Sequence, residues 1–569
     1  MKHNRLLYIV AIGMITLLFG SCRNPQQTHI QLVCTSDVHG HILPYNFLTG
    51  DPAEGSLARV SSYLKEQRRK GVQVVYIDNG DMLQGTPATY YYNTHAIGAT
   101  HIAAEALNYL KCEAVVLGNN DIETGGATYQ RYNGNLGGTV IGGNILYRES
   151  DMPFFAPYTI IERDSITIAI LGLTTPAIPH WIPQCQWSEL EFIDMERAAQ
   201  RWMQYLRENV DPDIVIGLFH SGYEGGITTE HYAENATRAV AENVPGFDAI
   251  FYGHDHRIRN TEVINVEGDT VLLLNPGKDA NNVATLDIVR DKEGRVSLHA
   301  ALVDMNTYEP DPAFMATMAS HAEDITEYVE RPIGTSTQAI HTRDALFGPS
   351  AYTHLIHQMQ LNASGAKISF ASPLVYDGVL PMGDILVRDI YRLFPYENTL
   401  YMLWLTGDEI KRYLEYSYAQ WTAQMSSPND PLLLFDSTGK NLSRPYYHFD
   451  SAAGIQYDVD VTKPTGHKVT IRSMADGKPF HMNERYLVAM NSYRAHGGGG
   501  LITHGAGLTH EEMLERIEYT TSADLRFYML NYIEMRKSIT PKASDNWRFI
   551  PERWVQPAVK RDSTRLFGE

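Results

Sequence analysis

The stretch AVVLGNNDIET, residues 114–124, decides how the chain is read. Its apolar run stops at Gly118, and the polar residues Asn119, Asn120, Asp121 and Glu123 follow at once. Alone it reads as a strand entering a turn, because Gly and Asn tolerate left-handed backbone and Asx side chains bond their own main chain. The pattern recurs in IQLVCTS (30–36), VQVVYID (72–78), ITIAILGL (166–173), DIVIGLF (213–219), DAIFYG (248–253) and TVLLLN (270–275). Between several of these runs lie helix-like segments such as SLARVSSYLKEQRRKG (56–71), where Leu57, Val60 and Leu64 fall on one face. That alternation predicts an α/β layered domain with functional groups on the loops after the strands.

The pattern changes near residue 310. DPAFMATMASHAEDITEYVERPIG (311–334) opens with Asp311 as an N-cap and Pro312 at the first helical position, and closes at Pro332 and Gly334. It reads as a linking helix. Beyond it, helical stretches such as TGDEIKRYLEYSYAQW (406–421) mix with strand-like ones such as GIQYDVDV (454–461) and RYLVAMNSY (485–493). The expected organisation is a first domain over 28–303, a linker helix over 304–334, an α+β second domain over 335–553 and a polar tail over 554–569. Two or three domains also suit a chain of 569 residues.

Composition narrows the function classes. Hydrophobic residues make up 44% and charged residues 20%, which is globular. The net charge of −19 argues against a nucleic-acid polymer as partner, since tracking a phosphate backbone needs a basic surface. Nothing in the sequence points to an obligate protein partner. Residues 1–22 carry Lys2 and Arg5, an apolar core from Leu6 to Phe19, and then Gly20-Ser21-Cys22. The short core followed by small residues reads as a secretory signal, and the Cys after Gly-Ser resembles a bacterial lipobox with Cys22 as the lipidated residue. The expectation is an exported protein of the bacterial cell envelope, tethered to the membrane by an N-terminal lipid. Cys34, Cys112 and Cys185 show no paired spacing, so no disulfide framework is expected.

Metal-ligating residues cluster at the strand ends. TSDVHGH (35–41) offers Asp37 and His39, two apart, so that on an extended segment both side chains leave on the same side. IDNGD (77–81) offers Asp81, LGNND (117–121) Asn119, LFHSG (218–222) His220, and FYGHDH (251–256) His254 and His256. Any one of these is ordinary. Five strand ends of one domain supplying carboxylates and imidazoles form the mix that suits two divalent ions, and such sites accept Zn, Mn, Fe or Co.

This series resembles the calcineurin-like metallophosphoesterases, whose order along the chain is D-x-H, G-D, G-N-H, H and G-H-x-H. With the second half, the resemblance extends to the two-domain 5′-nucleotidase and cyclic phosphodiesterase family, covering residues 28 to 553. It implies a four-layer α/β metallophosphoesterase domain joined by a linker helix to a 5′-nucleotidase-type domain. It also implies that Asp37, His39, Asp81 and His256 hold one metal, and Asp81, Asn119, His220 and His254 the other. Where the family usually has a His beside the phosphate, this chain has Asn120, with Glu123 at the position of the acid that orients the His. An amide donates a hydrogen bond but gives no proton at neutral pH. Three readings follow: a weakened hydrolase, one that borrows another acid, or a nucleotide-binding protein without catalysis.

In the second half, Tyr396 and Asn398 lie in LFPYEN (393–398), and Asn491 and Tyr493 in VAMNSYRAHGGGG (488–500). The residues alone favour ordinary core tyrosines in a chain with 34 of them. The resemblance makes Tyr396 and Tyr493 the two rings that sandwich a nucleobase, with Asn398 and Asn491 as polar neighbours. YHFDSAAGIQYDVDVTKP (447–464), NSYRAHGGGG (491–500) and DNWRFIP (545–551) look most like the 2′,3′-cyclic-nucleotide 2′-phosphodiesterase/3′-nucleotidase branch. The Gly-Gly-Ile-Arg stretch of 5′-nucleotidases is absent from ASPLVYDGVLPMGD (371–384), which favours the cyclic branch over a 5′-nucleotidase or nucleotide-sugar hydrolase.

Overall fold

The computed structural model describes residues 28–568; the signal segment and Cys22 lie outside the described residues. All seven apolar runs are strands. They enter two six-stranded sheets. The first runs in the order Val296–Asp304, Asn282–Arg290, Thr28–Thr35, Gln73–Asp78, Cys112–Val116, Thr139–Ile141. The second runs Arg259–Ile264, Thr270–Asn275, Ala249–Tyr252, Ile214–His220, Ile166–Thr174, Tyr158–Arg163. Pairing is parallel from Thr28–Thr35 to the edge strand Thr139–Ile141 of the first sheet and through the middle of the second, and antiparallel at the other outer strands.

Strand alternation sorts the side chains into layers. Ile30, Leu32, Cys34, Val75, Ile77 and Val116 of the first sheet pack face to face with Ile168, Ile170, Ile216, Leu218 and Phe251 of the second. Val33 and Tyr76 point the other way and meet Leu57, Val60 and Leu64 of the helix Leu57–Arg69, all fully buried. On the far side, Leu171, Phe219 and Ile250 meet Ala198, Met203 and Leu206 of the helix Met195–Asn209. The result is a four-layer α/β/β/α arrangement. Cys34 and Cys112 are buried, Cys185 is exposed, and all three are free.

The later half builds a five-stranded sheet, Ser451–Ala453, Ile368–Ala371, Arg485–Asn491, Thr399–Thr406, Ile517–Asp524, flanked by helices such as Gly407–Trp421. The stretch read as one linking helix is two, Pro312–Thr317 and Ala319–Glu330, with a break at Met318. Residues 554–569, expected as a polar tail, instead belong to the helix Glu552–Phe567 up to Phe567. Its polar composition hides an anchored face: Val555, Ala558 and Asp562 are buried, and the Asp562 carboxylate accepts the N–H groups of Leu432 and Leu433 at 2.8 and 2.9 Å. Among the described residues no helix is long and apolar enough to cross a membrane.

Asp311 caps its helix as expected, accepting from Ala313 N at 3.1 Å, and it also binds Ser61 Oγ at 2.6 Å and Lys65 Nζ at 2.5 Å. One carboxylate thus fixes the start of the linker against the helix Leu57–Arg69. Asp311→Ala removes the cap and leaves Ser61 without its acceptor. A loss of about 1–2 kcal/mol is expected in denaturant unfolding, and an unchanged midpoint would refute this assignment.

Candidate metal centre

The seven ligand positions of the sequence reading come together at the carboxyl ends of the strands. Asp37 and His39 follow Thr28–Thr35, Asp81 follows Gln73–Asp78, Asn119 follows Cys112–Val116, His220 ends Ile214–His220, and His254 and His256 follow Ala249–Tyr252. The ligand atoms of Asp37, His39 and His256 lie within 4.8 Å of one another, and so do those of Asp81, His220 and His254. His39 Nε2 is 3.1 Å from His256 Nε2, which is 3.3 Å from Asp37 Oδ1. His220 Nε2 lies 3.3 Å from Asp81 Oδ2 and 4.0 Å from Asp37 Oδ1, so the two groups adjoin.

The backbone is bent to achieve this. Asp37, His39, Asp81, His254 and His256 all have positive φ, between 49° and 70°. The extended geometry expected for Asp37 and His39 is therefore not how they converge: two left-handed residues turn the loop back across the strand end. Each such conformation costs on the order of 1–3 kcal/mol and persists where surrounding structure enforces it. Two glycines make room. A Cβ on Gly118 would stand 2.1 Å from Asp81 Oδ1 and 2.6 Å from His220 Cε1, and one on Gly253 would stand 1.9 Å from Ser36 Oγ and 2.4 Å from Asp37 Oδ2.

Hydrogen bonds orient the donors toward an occupant. His220 Nδ1 faces Asn79 O at 2.7 Å and His39 Nδ1 faces Gln84 O at 3.0 Å, so each ring holds a proton on Nδ1 and presents Nε2 to the centre. His220 Nε2 and Asn119 Oδ1 are buried without a hydrogen-bond partner. Orphaned atoms of this kind are costly unless something binds them. An imidazole lone pair and an amide oxygen aimed into a group of carboxylates and imidazoles are what a divalent cation requires, so the residues fit the metal that the resemblance implies.

Electrostatics point the same way. Burial opposes ionisation of Asp81, yet the charge of the His220 ring beside it holds the carboxyl well below the usual range. Burial opposes protonation of His220, yet Asp81 and then Asp37 raise it to about 10. In this arrangement the His220 proton occupies the place that a cation would take.

Three supporting residues escaped the sequence reading. Asp121 accepts the N–H groups of Asp81, Met82, Leu83 and Gly118 at 2.8–2.9 Å, tying the loop that carries Asp81 to the loop that carries Asn119. Its place three residues after Gly118, at the start of the short helix Asn119–Glu123, is a capping signal that would have found it. Glu234 Oε1 lies 3.1 Å from His254 Nε2, from a short strand with no distinguishing motif. Asp78, at the end of its strand, accepts from Thr35 Oγ1 at 2.6 Å and Gly80 N at 3.1 Å, and burial pushes it up to about 7.

Asn120 lies at the centre but turned to the protein: its Nδ2 donates to Asp81 Oδ2 and its N–H to Asp81 Oδ1, both at 2.8 Å. Glu123 makes its side-chain hydrogen bond with Gln84 Nε2 at 3.3 Å, not with Asn120. Burial, followed by the nearby charge of Glu397, pushes Glu123 up to about 8. Glu397 comes from the other half of the chain, where it binds Gly85 N at 3.4 Å and Arg526 Nη1 at 3.1 Å. The loop carrying Tyr396 and Asn398 is thereby fastened beside the loop that orients His39.

Tyr396 and Tyr493 are 47% and 42% exposed, as are a few other aromatic residues such as Tyr147 and Tyr205 at 45% and 44%. Asn398 and Asn491 flank them but are engaged internally. Asn398 Oδ1 accepts from Ser492 Oγ at 3.2 Å, and Asn491 Oδ1 caps the turn Ser492–Ala495 by accepting from Arg494 N at 2.8 Å.

Comparison with known proteins bears on both halves. The calcineurin-like phosphoesterase family matches residues 30–257, and the 5′-nucleotidase C-terminal domain family matches residues 332–505. A 2′,3′-cyclic-nucleotide 2′-phosphodiesterase/3′-nucleotidase of Haemophilus influenzae is 24% identical across 97% of this chain and 92% of that protein. The trifunctional nucleotide phosphoesterase YfkN of Bacillus subtilis is also 24% identical; the match covers 92% of this chain but 39% of YfkN. Among solved structures, one assigned as a 5′-nucleotidase of Staphylococcus aureus superposes with a TM-score of 0.70 at 21% identity, covering 92% of this chain and all of that one. The NAD nucleotidase of Haemophilus influenzae superposes at 0.57 with 18% identity over 92% and 99% of the two chains. The chain is a metal-dependent phosphoric ester hydrolase of the calcineurin-like phosphoesterase family, with a 5′-nucleotidase C-terminal domain.

Proposed function

We propose that the protein hydrolyses nucleotide phosphoesters outside the cytoplasm, opening 2′,3′-cyclic nucleotides to 3′-nucleotides and then releasing the nucleoside and inorganic phosphate. The observation that carries this reading is the pair of adjoining ligand groups with His220 Nε2 and Asn119 Oδ1 unpartnered, in a chain whose second domain exposes Tyr396 and Tyr493. Asp37, His39, Asp81 and His256 would hold one divalent ion, and Asp81, Asn119, His220 and His254 a second. Ions at such sites polarise phosphoryl oxygens and lower the pKa of water.

The protein's own groups do the rest. Asp121 holds the Asp81 loop through three N–H groups and the Asn119 loop through a fourth, Gln84 and Asn79 set the tautomers of His39 and His220, and Glu234 orients His254. Tyr396 and Tyr493 grip the base by stacking, a contact worth about 1–3 kcal/mol per ring face. Opening the cyclic ester breaks the P–O2′ bond and the second step breaks P–O3′; in each, water adds to phosphorus and the departing oxygen takes a proton. Asn120 has none to give. The missing donor is expected to cost roughly 10²–10⁴ in rate. The export signal and Cys22 support attachment to the envelope by lipid.

Turnover of 2′,3′-cAMP, 3′-AMP and 5′-AMP by the metal-loaded protein tests the substrate class; activity on 5′-AMP alone would replace this reading with a 5′-nucleotidase. Asn120→His is expected to raise 2′,3′-cAMP turnover about 100-fold or more. If both proteins are inert while two metals and a nucleotide bind, the chain is a binding protein on a hydrolase scaffold.

Metal uptake should displace the His220 proton. Calorimetric titration of the metal-free protein with Zn²⁺ or Mn²⁺ in buffers of different ionisation enthalpy is expected to show net proton release at pH 7, with affinity rising as pH rises. His220→Ala should lower the bound-metal count.

Glu123 has a folded-state value of about 8 against an ordinary 4.5. Between these values the folded protein holds one more proton than the unfolded chain, so this group's contribution is greatest below 4.5 and declines as pH rises towards 8. Glu123→Gln should therefore lessen the loss of stability of the metal-free protein between pH 6 and pH 8, measured by urea unfolding.

A further inference from the structure

The two exposed rings are not held by their own loops alone. Arg494, next to Tyr493, is 1% exposed, and its partner Asp450 is 2% exposed. Arg494 Nε donates to Asp450 Oδ2 at 3.1 Å and Nη2 to Asp450 Oδ1 at 2.7 Å. The same guanidinium donates through Nη1 to Gly498 O and through Nη2 to Tyr447 O, both at 2.6 Å. One buried cation thus joins three pieces of backbone: the turn after Tyr493, the glycine run behind it, and the segment Tyr446–Asp450.

That segment reaches both rings. Tyr446 lies beside Tyr396. Two residues on, the His448 ring lies parallel to Tyr493, with centroids 6.3 Å apart at 16°, and His448 Nε2 is 3.1 Å from Tyr493 Oη. Tyr447 meets Tyr493 edge-on at 6.2 Å. Asp450 is tied in turn to the helix Gly407–Trp421, through Tyr413 Oη at 2.5 Å and through Ser417 Oγ on its carbonyl at 2.8 Å. Gly499 adopts φ 73°, and a Cβ there would stand 2.5 Å from Arg494 Nη1 and 2.9 Å from His448 Cδ2, so the glycine run closes over the guanidinium.

We infer that Arg494, paired with Asp450, is the positioning residue that sets the spacing of the Tyr396 and Tyr493 rings, with His448 as the brace on Tyr493. The inference rests on the base-binding role given to the two tyrosines in the proposed function. Neither charge is exposed enough to touch a ligand. A buried pair adds little net stability over an apolar one, while removing one partner is costly; its use here is to fix geometry. Arg suits the task because its planar fork serves four acceptors at once, which an ammonium does not. Fixing the rings before binding lowers the ordering cost of gripping a flat base.

The test is titration of the full chain with adenosine, which carries the base without a phosphate, for wild type, Arg494→Lys, His448→Ala and Tyr493→Ala. Turnover of p-nitrophenyl phosphate, which carries no base, is measured alongside. Arg494→Lys is expected to weaken adenosine binding tenfold or more and to raise KM for the nucleotide by a similar factor. Its kcat and its turnover of the base-free ester should stay within about twofold, since the metal ligands are untouched. His448→Ala, at a partly exposed site, should weaken adenosine binding at least threefold and decides the question if Arg494→Lys does not fold. Wild-type adenosine affinity in a folded Arg494→Lys or, failing that, in His448→Ala would overturn the inference while Tyr493→Ala still weakens binding. If Tyr493→Ala also binds adenosine as wild type does, the base-binding role itself falls.

Discussion

The apolar contact between the two six-stranded sheets is the constraint on which the rest depends. Ile30, Leu32, Ile77 and Val116 on one face and Ile170, Ile216, Leu218 and Phe251 on the other exclude water across the whole interface. Once they do, the strands of both sheets end along one edge, and side chains far apart in the chain become neighbours. Asp37 and Asp81 leave the first sheet, His220 and His254 leave the second, and the separation of His220 Nε2 from Asp81 Oδ2 is 3.3 Å. A slip of one residue in any central strand would send its apolar set to the wrong layer and its terminal ligand away from the centre.

The site is costly to assemble, and its surroundings offset that cost in identifiable ways. Asp37 and Asp81 are almost fully buried. Imidazoles stand against them, and backbone N–H groups are used with unusual density, four of them on Asp121 alone. Five ligand residues sit at positive φ, held by hydrogen bonds such as Asp37 N to Gly80 O and His39 N to Asp81 O, both at 2.9 Å. Gly118 and Gly253 approach where no side chain fits. Among the ligand residues, His220 Nε2 and Asn119 Oδ1 stay without a hydrogen-bond partner, as atoms shaped for an occupant do.

Much of this was legible from residue order. The seven apolar runs were strands, and Leu57, Val60 and Leu64 buried one helix face, because burial on both sides of a parallel sheet leaves long β-branched runs that periodicity detects. The seven ligand types stood out because carboxylates, an amide and imidazoles recurred at strand ends. Misses had physical causes. Outer strands such as Arg259–Ile264 alternate between exposed and partly buried residues and carry a weak signal. The helix Glu552–Phe567 was taken for a tail because its composition is polar, although Trp554, Val555, Val559, Leu566 and Phe567 pack on the second-domain core and Asp562 accepts two N–H groups.

Asn120 marks the boundary between the two kinds of information. The sequence by itself determined the layered fold class and the candidate metal-binding side chains, because these follow from residue type and local spacing, and the family resemblance added that an amide stands where a proton-bearing residue is usual. Only the tertiary structure decided that Asn120 turns its amide onto Asp81, that Glu234 and Asp121 support the centre, that Glu123 faces Glu397 across the two halves, and that one buried arginine braces the paired rings. Those relations join residues tens to hundreds of positions apart. No local period encodes them, and they exist only once the apolar layers have closed.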